Sequence, residues 1–423
     1  MTLPINRISA NASTALSTRA AVWTWDLVYL PLGSAGFGGA ERSLLDLAGR
    51  MAAQGQRVLL LAEPALRQTP FAAEAAARSL SVRWVDWAPE RALLSKLRVA
   101  WPVLRTLNAR LLHFNISWRR GMWLIPLLAR LASRARLIGS MRAMPDPAEL
   151  IPRRQWLGGR LRAPQLWRLP DLLVGRIWAR CLHLTVSVNR DDYPPRLIAE
   201  YGFSATRLRV IYNGISVPEQ LPTPAERQST RAHFGFSDRH CVVCYFGRLS
   251  SEKGVQHLLD ALATLPGEVV AVLIGDGPQR PELEAQAARL GLEARVRFAG
   301  FITHPEPIVA AFDLVAVPSI WYEAFGRTVV EALAMQVPVV ASRIGGMAEL
   351  FEDGVHGHYV PAGDRDALAA AIAALATDPA VRQAMGRAGR AWVQERYAME
   401  RVAAEYARLY RALLDESGPD NSA

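Results

Sequence analysis

Short apolar runs recur along this chain, and between them the apolar positions switch to the three-to-four-residue spacing of helices. "DLVYLPL" (26–32) leads through a loop into the helical "AERSLLDLAGRMAAQG", and "RVLLLAE" (57–63) follows. Further strand-like runs are "RLLHFN" (110–115), "ARLIGSM" (135–141), "LHLTVSV" (182–188) and "LRVIYNG" (208–214). After "SVPEQLPTPAERQS" the alternation restarts with "CVVCYFG" (241–247), "VVAVLIG" (269–275), "RVRFAG" (295–300), "LVAVPS" (314–319) and "PVVAS" (338–342). Strands this apolar, alternating with helices at this pitch, belong to parallel sheets covered on both faces. The pattern predicts an α/β protein of two doubly wound, Rossmann-like domains, residues 21–214 and 238–398, joined by a linker over 215–237. A helical pattern at 399–415 closes the chain, and the polar ends, 1–20 and 416–423, read as disordered. Ligands of such folds bind at the carboxyl ends of strands, beside helix N-termini, so two facing domains would hold theirs in a cleft.

At 423 residues and 51% hydrophobic, the chain can bury two sizeable cores. Its apolar run "MWLIPLLA" (122–129) is far too short to span a bilayer, and the first twenty residues lack an apolar signal-peptide core. A cytoplasmic placement is the expectation. Charge is divided unevenly: residues 1–220 carry 30 Lys/Arg against 14 Asp/Glu, while 221–423 carry 19 against 25. Fifteen arginines and three acids fall between 105 and 180, interleaved with Trp118, Trp123, Trp156, Trp167 and Trp178. This mixture suits an anionic membrane surface or an anionic substrate; an ordinary arginine-rich surface is the plain alternative. No nucleic-acid module accompanies the charge. Cys241 and Cys244 have a redox or zinc spacing, but within an apolar strand positions three apart face opposite ways, so core packing is the reading.

Four stretches could carry chemistry. "GSAGFGGAERSLLDLA" (33–48) is a glycine-rich turn from strand to helix, where Gly38 and Gly39 could let the backbone approach an anion at the helix N-terminus; a plain turn is the alternative. "FGRLSSEKGVQHLLDAL" (246–262) puts Arg248 and Lys253 in a loop at a strand's carboxyl end. The chain holds only two lysines, and a compact ammonium kept here suits a phosphate; a solvated helix start is the alternative. "IGDGPQRPELE" (274–284), with Gly275, could form a pocket wall. In "WYEAFGRTVVE" (321–331), Glu323 precedes a helix starting near Gly326, and Glu331 lies about one and a half turns into it. The two acids border the amides of Phe325, Gly326 and Arg327, and suit ligand hydroxyls better than a metal, since no further ligand is placed nearby. Asp364-Arg365-Asp366 reads as a helix cap.

This series, with "PVVAS" and "IGGMAELFEDGVHGHYV" after it, resembles the retaining GT-B glycosyltransferases of family 4, from about residue 26 to 415 and most specifically in the second domain. The resemblance implies a nucleoside-diphosphate sugar as donor, held mainly by the second domain, and a saccharide or lipid-linked saccharide as acceptor, held mainly by the first. It implies that Arg248 and Lys253 neutralise the diphosphate and that Glu331 holds the ribose. Glu323 and the amides after it would hold the sugar, with Gly38 and Gly39 approaching from across the cleft, and no metal or other cofactor would be needed. The sequence departs from the family pattern in the first domain. His113 falls in a strand, Asn115 occupies the more cleft-ward position, and Arg142 stands where a histidine is common. These three are the acceptor-side candidates, and a strand-end core histidine is the other reading of His113. Gln336 replaces the usual glycine at a helix end. The expected activity is retaining sugar transfer at the cytoplasmic face of a membrane, to a lipid-linked or growing surface saccharide. A nucleotide-sugar epimerase or hydrolase of the same fold, or a non-catalytic sugar-nucleotide binder, is the alternative.

Overall fold

The computed structural model describes residues 23–32, 37–87, 93–117, 124–143 and 169–415. The expected disordered ends, 1–20 and 416–423, lie outside them, as do Trp118, Trp123, Trp156 and Trp167.

Two parallel sheets organise the chain. The first contains β1 (Trp25–Leu32), β2 (Val58–Ala62), β3 (Ser81–Trp84), β4 (Ala109–Ser117), β5 (Arg136–Ala143), β6 (Leu184–Ser187) and β7 (Leu208–Val210), in the order β3-β2-β1-β4-β5-β6-β7. The second contains β8 (Cys241–Phe246), β9 (Val269–Ile274), β10 (Val296–Gly300), β11 (Leu314–Val317), β12 (Val339–Ser342) and β13 (Gly357–Val360), in the order β10-β9-β8-β11-β12-β13. Central strands such as β2, β8 and β9 are buried at every position, because helices cover both faces. The apolar pattern does not mark β3 and β13. Both are edge strands whose "SVRW" and "GHYV" are only half buried, so hydrophobicity alone does not announce them.

Strand order reverses between β1 and β4 in the first sheet and between β8 and β11 in the second, which fixes where a ligand can enter. The glycine turn at Gly38 follows β1, the Arg248–Lys253 loop follows β8, and the Glu323 loop follows β11. Cys241 and Cys244 are free and buried on opposite faces of β8, in different core clusters. Trp178 is also buried in the first core, so it contributes nothing to a surface.

The closing helix Met399–Asp415 packs on the first sheet, although it follows the second in sequence. Met399, Val402, Tyr406, Tyr410 and Leu413 join the cluster that holds Leu27, Tyr29 and Leu111. A backbone bridge between Ile215 and Ala398 pins the return crossing beside the linker. The chain thus passes between the two sheets twice, and the two crossings are hydrogen-bonded to each other.

Candidate active site

The facing carboxyl ends of the two sheets enclose a cavity of about 1100 Å³. Its lining includes Gly38, Gly39, Arg142, Arg248, Lys253, Gly275, Glu323, Phe325, Gly326 and Glu331. Ten of the twelve candidates chosen from sequence therefore meet in one place. His113 and Asn115 do not line it.

The second-domain wall is built by close backbone approach. Gly254 has φ +67°, and a Cβ there would stand 2.0 Å from the Pro318 carbonyl oxygen at the end of β11. Only glycine lets the two loops touch, and the contact brings Lys253 to Glu323. The Lys253 ammonium donates to Glu323 Oε1, which also accepts from Ser319 Oγ at 3.0 Å. Arg248 is exposed, and no hydrogen bond or ion pair engages its guanidinium among the described residues. Gly326 caps the helix Arg327–Ala334 with φ +69°, and a Cβ there would lie 2.3 Å from Met347 Cγ. The helix N-terminus thereby opens into the cavity with its first amides unsatisfied by the helix itself.

Glu331 is buried, 6% exposed, and lies in that helix. It accepts from Arg327 Nε at 2.6 Å, and Arg42 Nη1 stands 3.7 Å away. Arg327 also donates to Asp46 at 2.8 Å and to Ser43 Oγ at 3.0 Å. Burial acts to lower the Arg327 pKa, but Glu331 and Asp46 outweigh it and hold the guanidinium above its usual value. Asp46, Ser43 and Arg42 belong to the helix Gly39–Ala53, so this network spans the cleft. Arg42 reaches further to Glu306, at 3.5 Å. Asn189 adds a second cross-cleft tie, donating to the Ala324 carbonyl at 3.0 Å.

The first-domain wall needs a correction. His113 is not an acceptor-side group. It sits in mid-β4 on the face covered by the closing helix, 1% exposed, with Nδ1 2.7 Å from the Tyr410 hydroxyl and Nε2 2.7 Å from Ser140 Oγ. Burial, with a smaller contribution from nearby Arg142, pushes its pKa down to about 3. Asn115, two residues on, shares that face but stands higher; its carboxamide donates to the Ala40 carbonyl and accepts from Arg142 Nε at 2.9 Å. Asn115 thus contacts Arg142 and does not itself line the cavity.

Sequence reasoning missed Asp46, Arg42, Asn213 and the guanidinium of Arg327, whose amide alone it places at the site. Asn213, followed by Gly214 just beyond β7, accepts from Arg142 Nη1, and a strand-end Asn-Gly was the available signal. The cross-cleft partners had none, since each reads locally as a solvated helix charge. Among the described residues no group of three or more His, Cys, Asp or Glu could hold a metal ion. Asp364 caps the helix Arg365–Thr377 by accepting from the amides of Asp366 and Ala367.

Comparison with known proteins agrees with this architecture. The family model described as Glycosyltransferase Family 4 matches residues 37–218, and that described as Glycosyl transferases group 1 matches 226–392. An alpha-D-kanosaminyltransferase of Streptomyces kanamyceticus is 33% identical over 210 residues, 48% of this chain and 54% of the relative. A D-inositol 3-phosphate glycosyltransferase of Kribbella flavida is 30% identical over 297 residues, 65% of this chain and 64% of the relative. The match spans about half the length of the first curated relatives. The crystal structure of Anabaena HepE in complex with UDP and glucose superimposes with a TM-score of 0.76 at 26% identity, covering 92% of this chain and all of that one.

Proposed function

This chain belongs to the GT-B glycosyltransferases of family 4, and on that premise we propose that it moves a sugar from a nucleoside-diphosphate donor to an acceptor hydroxyl, with retention and without a metal. One observation carries the reading: Arg248, Lys253, Glu323, Glu331 and a helix N-terminus converge on one cavity at both strand-order reversals. Arg248, whose guanidinium has no hydrogen-bond or ion-pair partner among the described residues, and Lys253 would take the diphosphate, whose negative charge grows as the sugar–phosphate bond breaks. Glu323 holds Lys253 at the sugar end and presents its carboxylate to sugar hydroxyls, beside the amides of Phe325 and Gly326. Glu331 would accept from the ribose hydroxyls, exchanging part of its contact with Arg42. The anomeric carbon loses its phosphate oxygen and gains the acceptor oxygen on the same face, while the acceptor proton passes to the leaving phosphate. HepE, bound to UDP and to UDP-glucose in its crystals, supports a nucleotide-sugar donor.

The acceptor is proposed to be membrane-linked. The helices Leu93–Thr106, Leu124–Ala132 and Leu169–Cys181 lie side by side on the first domain and expose Trp101, Leu131 and Leu173. Exposed Arg98, Arg105, Arg130, Arg134, Arg176 and Arg180 surround these apolar side chains. Cations with projecting apolar groups favour the headgroup layer of an anionic bilayer, each basic residue adding roughly 1 kcal/mol. No helix among the described residues is long and apolar enough to cross a membrane.

A donor screen read by nucleoside diphosphate release, with lipid and glycan extracts as acceptors, tests the transfer. Release that requires acceptor and persists in excess chelator is the expected result. Acceptor-independent turnover would instead identify a hydrolase or epimerase, and absence of any turnover a binding protein. Sedimentation with anionic and neutral liposomes tests the membrane face; salt-independent binding to both, or binding to neither, removes it.

A further inference from the structure

Arg142 stands apart from the other cations of the cavity. Lys253 is paired with Glu323, Arg327 with Asp46 and Glu331, and Arg42 with Glu306 and Glu331. Arg248 projects into solvent, which screens its charge. Arg142, by contrast, is partly buried at the end of β5, and its hydrogen-bond partners are the neutral carboxamide oxygens of Asn115 and Asn213. No carboxylate lies within ion-pair distance of it among the described residues. Among carboxylates Glu41 acts on it from beyond ion-pair distance, with its Oε2 engaged by the Gly38 amide at 2.9 Å, while Arg327 repels it. Burial accordingly lowers its pKa.

A guanidinium removed from water without a counter-charge is costly unless a ligand supplies one. The two amides use Nε and Nη1, fixing the plane of the fork, and among the described residues Nη2 has no hydrogen-bond partner. Asn115 is itself anchored to the Ala40 carbonyl, beside the glycine turn. A planar cation held this way matches a carboxylate or phosphate oxygen.

We infer that Arg142 is the seat of an anionic group, a carboxylate or phosphate, carried on the transferred sugar or on the acceptor and distinct from the donor diphosphate. The inference rests on the transfer reading above. Calorimetry on the full chain tests it with UDP, UDP-glucose and UDP-glucuronate. In a second arm, glucose, glucuronate and glucose 6-phosphate are titrated into UDP-saturated protein. Both arms are run on the wild type, Arg142→Gln and Arg142→Lys. An anion on the donor sugar gives at least tenfold tighter binding of UDP-glucuronate than of UDP-glucose. An anion on the acceptor leaves the two donors alike and gives at least tenfold preference for a charged sugar in the second arm. In either case the preference disappears in Arg142→Gln and survives in part in Arg142→Lys, while UDP binds all three proteins equally, reporting an intact fold. No charge preference in the wild type, or a preference unchanged in Arg142→Gln, overturns the inference alone. Weakened binding of UDP itself by Arg142→Gln also overturns it, by assigning Arg142 to the diphosphate. Failure of UDP to bind any of the proteins overturns the donor reading and this inference with it.

Discussion

The two walls of the cleft are built on the same strand–turn–helix plan and differ in how their charges are held. On the second-domain wall Lys253 meets Glu323 across two loops and Arg327 meets Glu331 within one helix, while the cation without a partner, Arg248, is exposed to solvent. On the first-domain wall the cation Arg142 is held by two asparagines, and His113, carried as an acceptor-side candidate, lies in the core below. A wall with internal pairs can exchange partners with a ligand at little cost, whereas a wall with an unmatched, partly buried cation demands one of definite sign.

The strongest way to break this comparison is at Glu323. Glu323→Gln should lower kcat about a hundredfold, about 2.7 kcal/mol, because in the proposed complex the carboxylate meets the transferred sugar, and it holds Lys253. Glu331→Gln should mainly raise KM, since ribose contacts are equal in ground and transition states. Steady-state kinetics on the two variants check this, and an equal effect on kcat would dissolve the distinction between the acids.

The buried side of the first-domain wall is probed by acid. His113 titrates near 3 in the fold and near 6.5 when unfolded, so the unfolded chain takes up the extra proton. Stability is therefore full above pH 6.5 and lost as pH falls toward 3, by about 2 kcal/mol between pH 7 and pH 5. Denaturant melts at the two pH values should show that loss, and His113→Gln should flatten it. An unchanged slope would place His113 in contact with water.

Asp46 is where the walls join. Asp46→Asn leaves Arg327 and Arg78 each short of a charged partner and should cost about 2 kcal/mol of stability. Fluorescence-monitored unfolding checks the cost, and kcat should change less than in Glu323→Gln. For the diphosphate clamp, Arg248→Ala and Lys253→Ala should each slow transfer about tenfold, about 1.4 kcal/mol. Lys253→Ala combined with Glu323→Gln should be less than additive, because the two side chains are in contact. The smallest effect concerns backbone. Gln336 has φ +64°, at the end of the helix Arg327–Ala334, so Gln336→Gly should stabilise by about 1 kcal/mol in thermal melts. No change there would show the strain to be relieved elsewhere.

Burial periodicity along the chain determined most of the strands, the two-domain α/β architecture and the loops that carry Arg248, Lys253, Glu323 and Glu331. These are local properties: an apolar run buried on both faces, a glycine where the backbone must turn, a charge at a strand's carboxyl end. The edge strands β3 and β13 escaped, since an edge needs no continuous apolar run. Tertiary structure alone decided the remainder. Asp46 and Arg327 are 281 residues apart, and each carries an ordinary helical surface pattern until the domains meet. His113 and Asn115 share one strand face, yet the closing helix, nearly 300 residues on, buries one beneath Tyr410 and leaves the other to orient Arg142. Side-chain direction follows from local backbone, but what lies in that direction depends on packing between distant segments, and a linear pattern of polarity does not encode it.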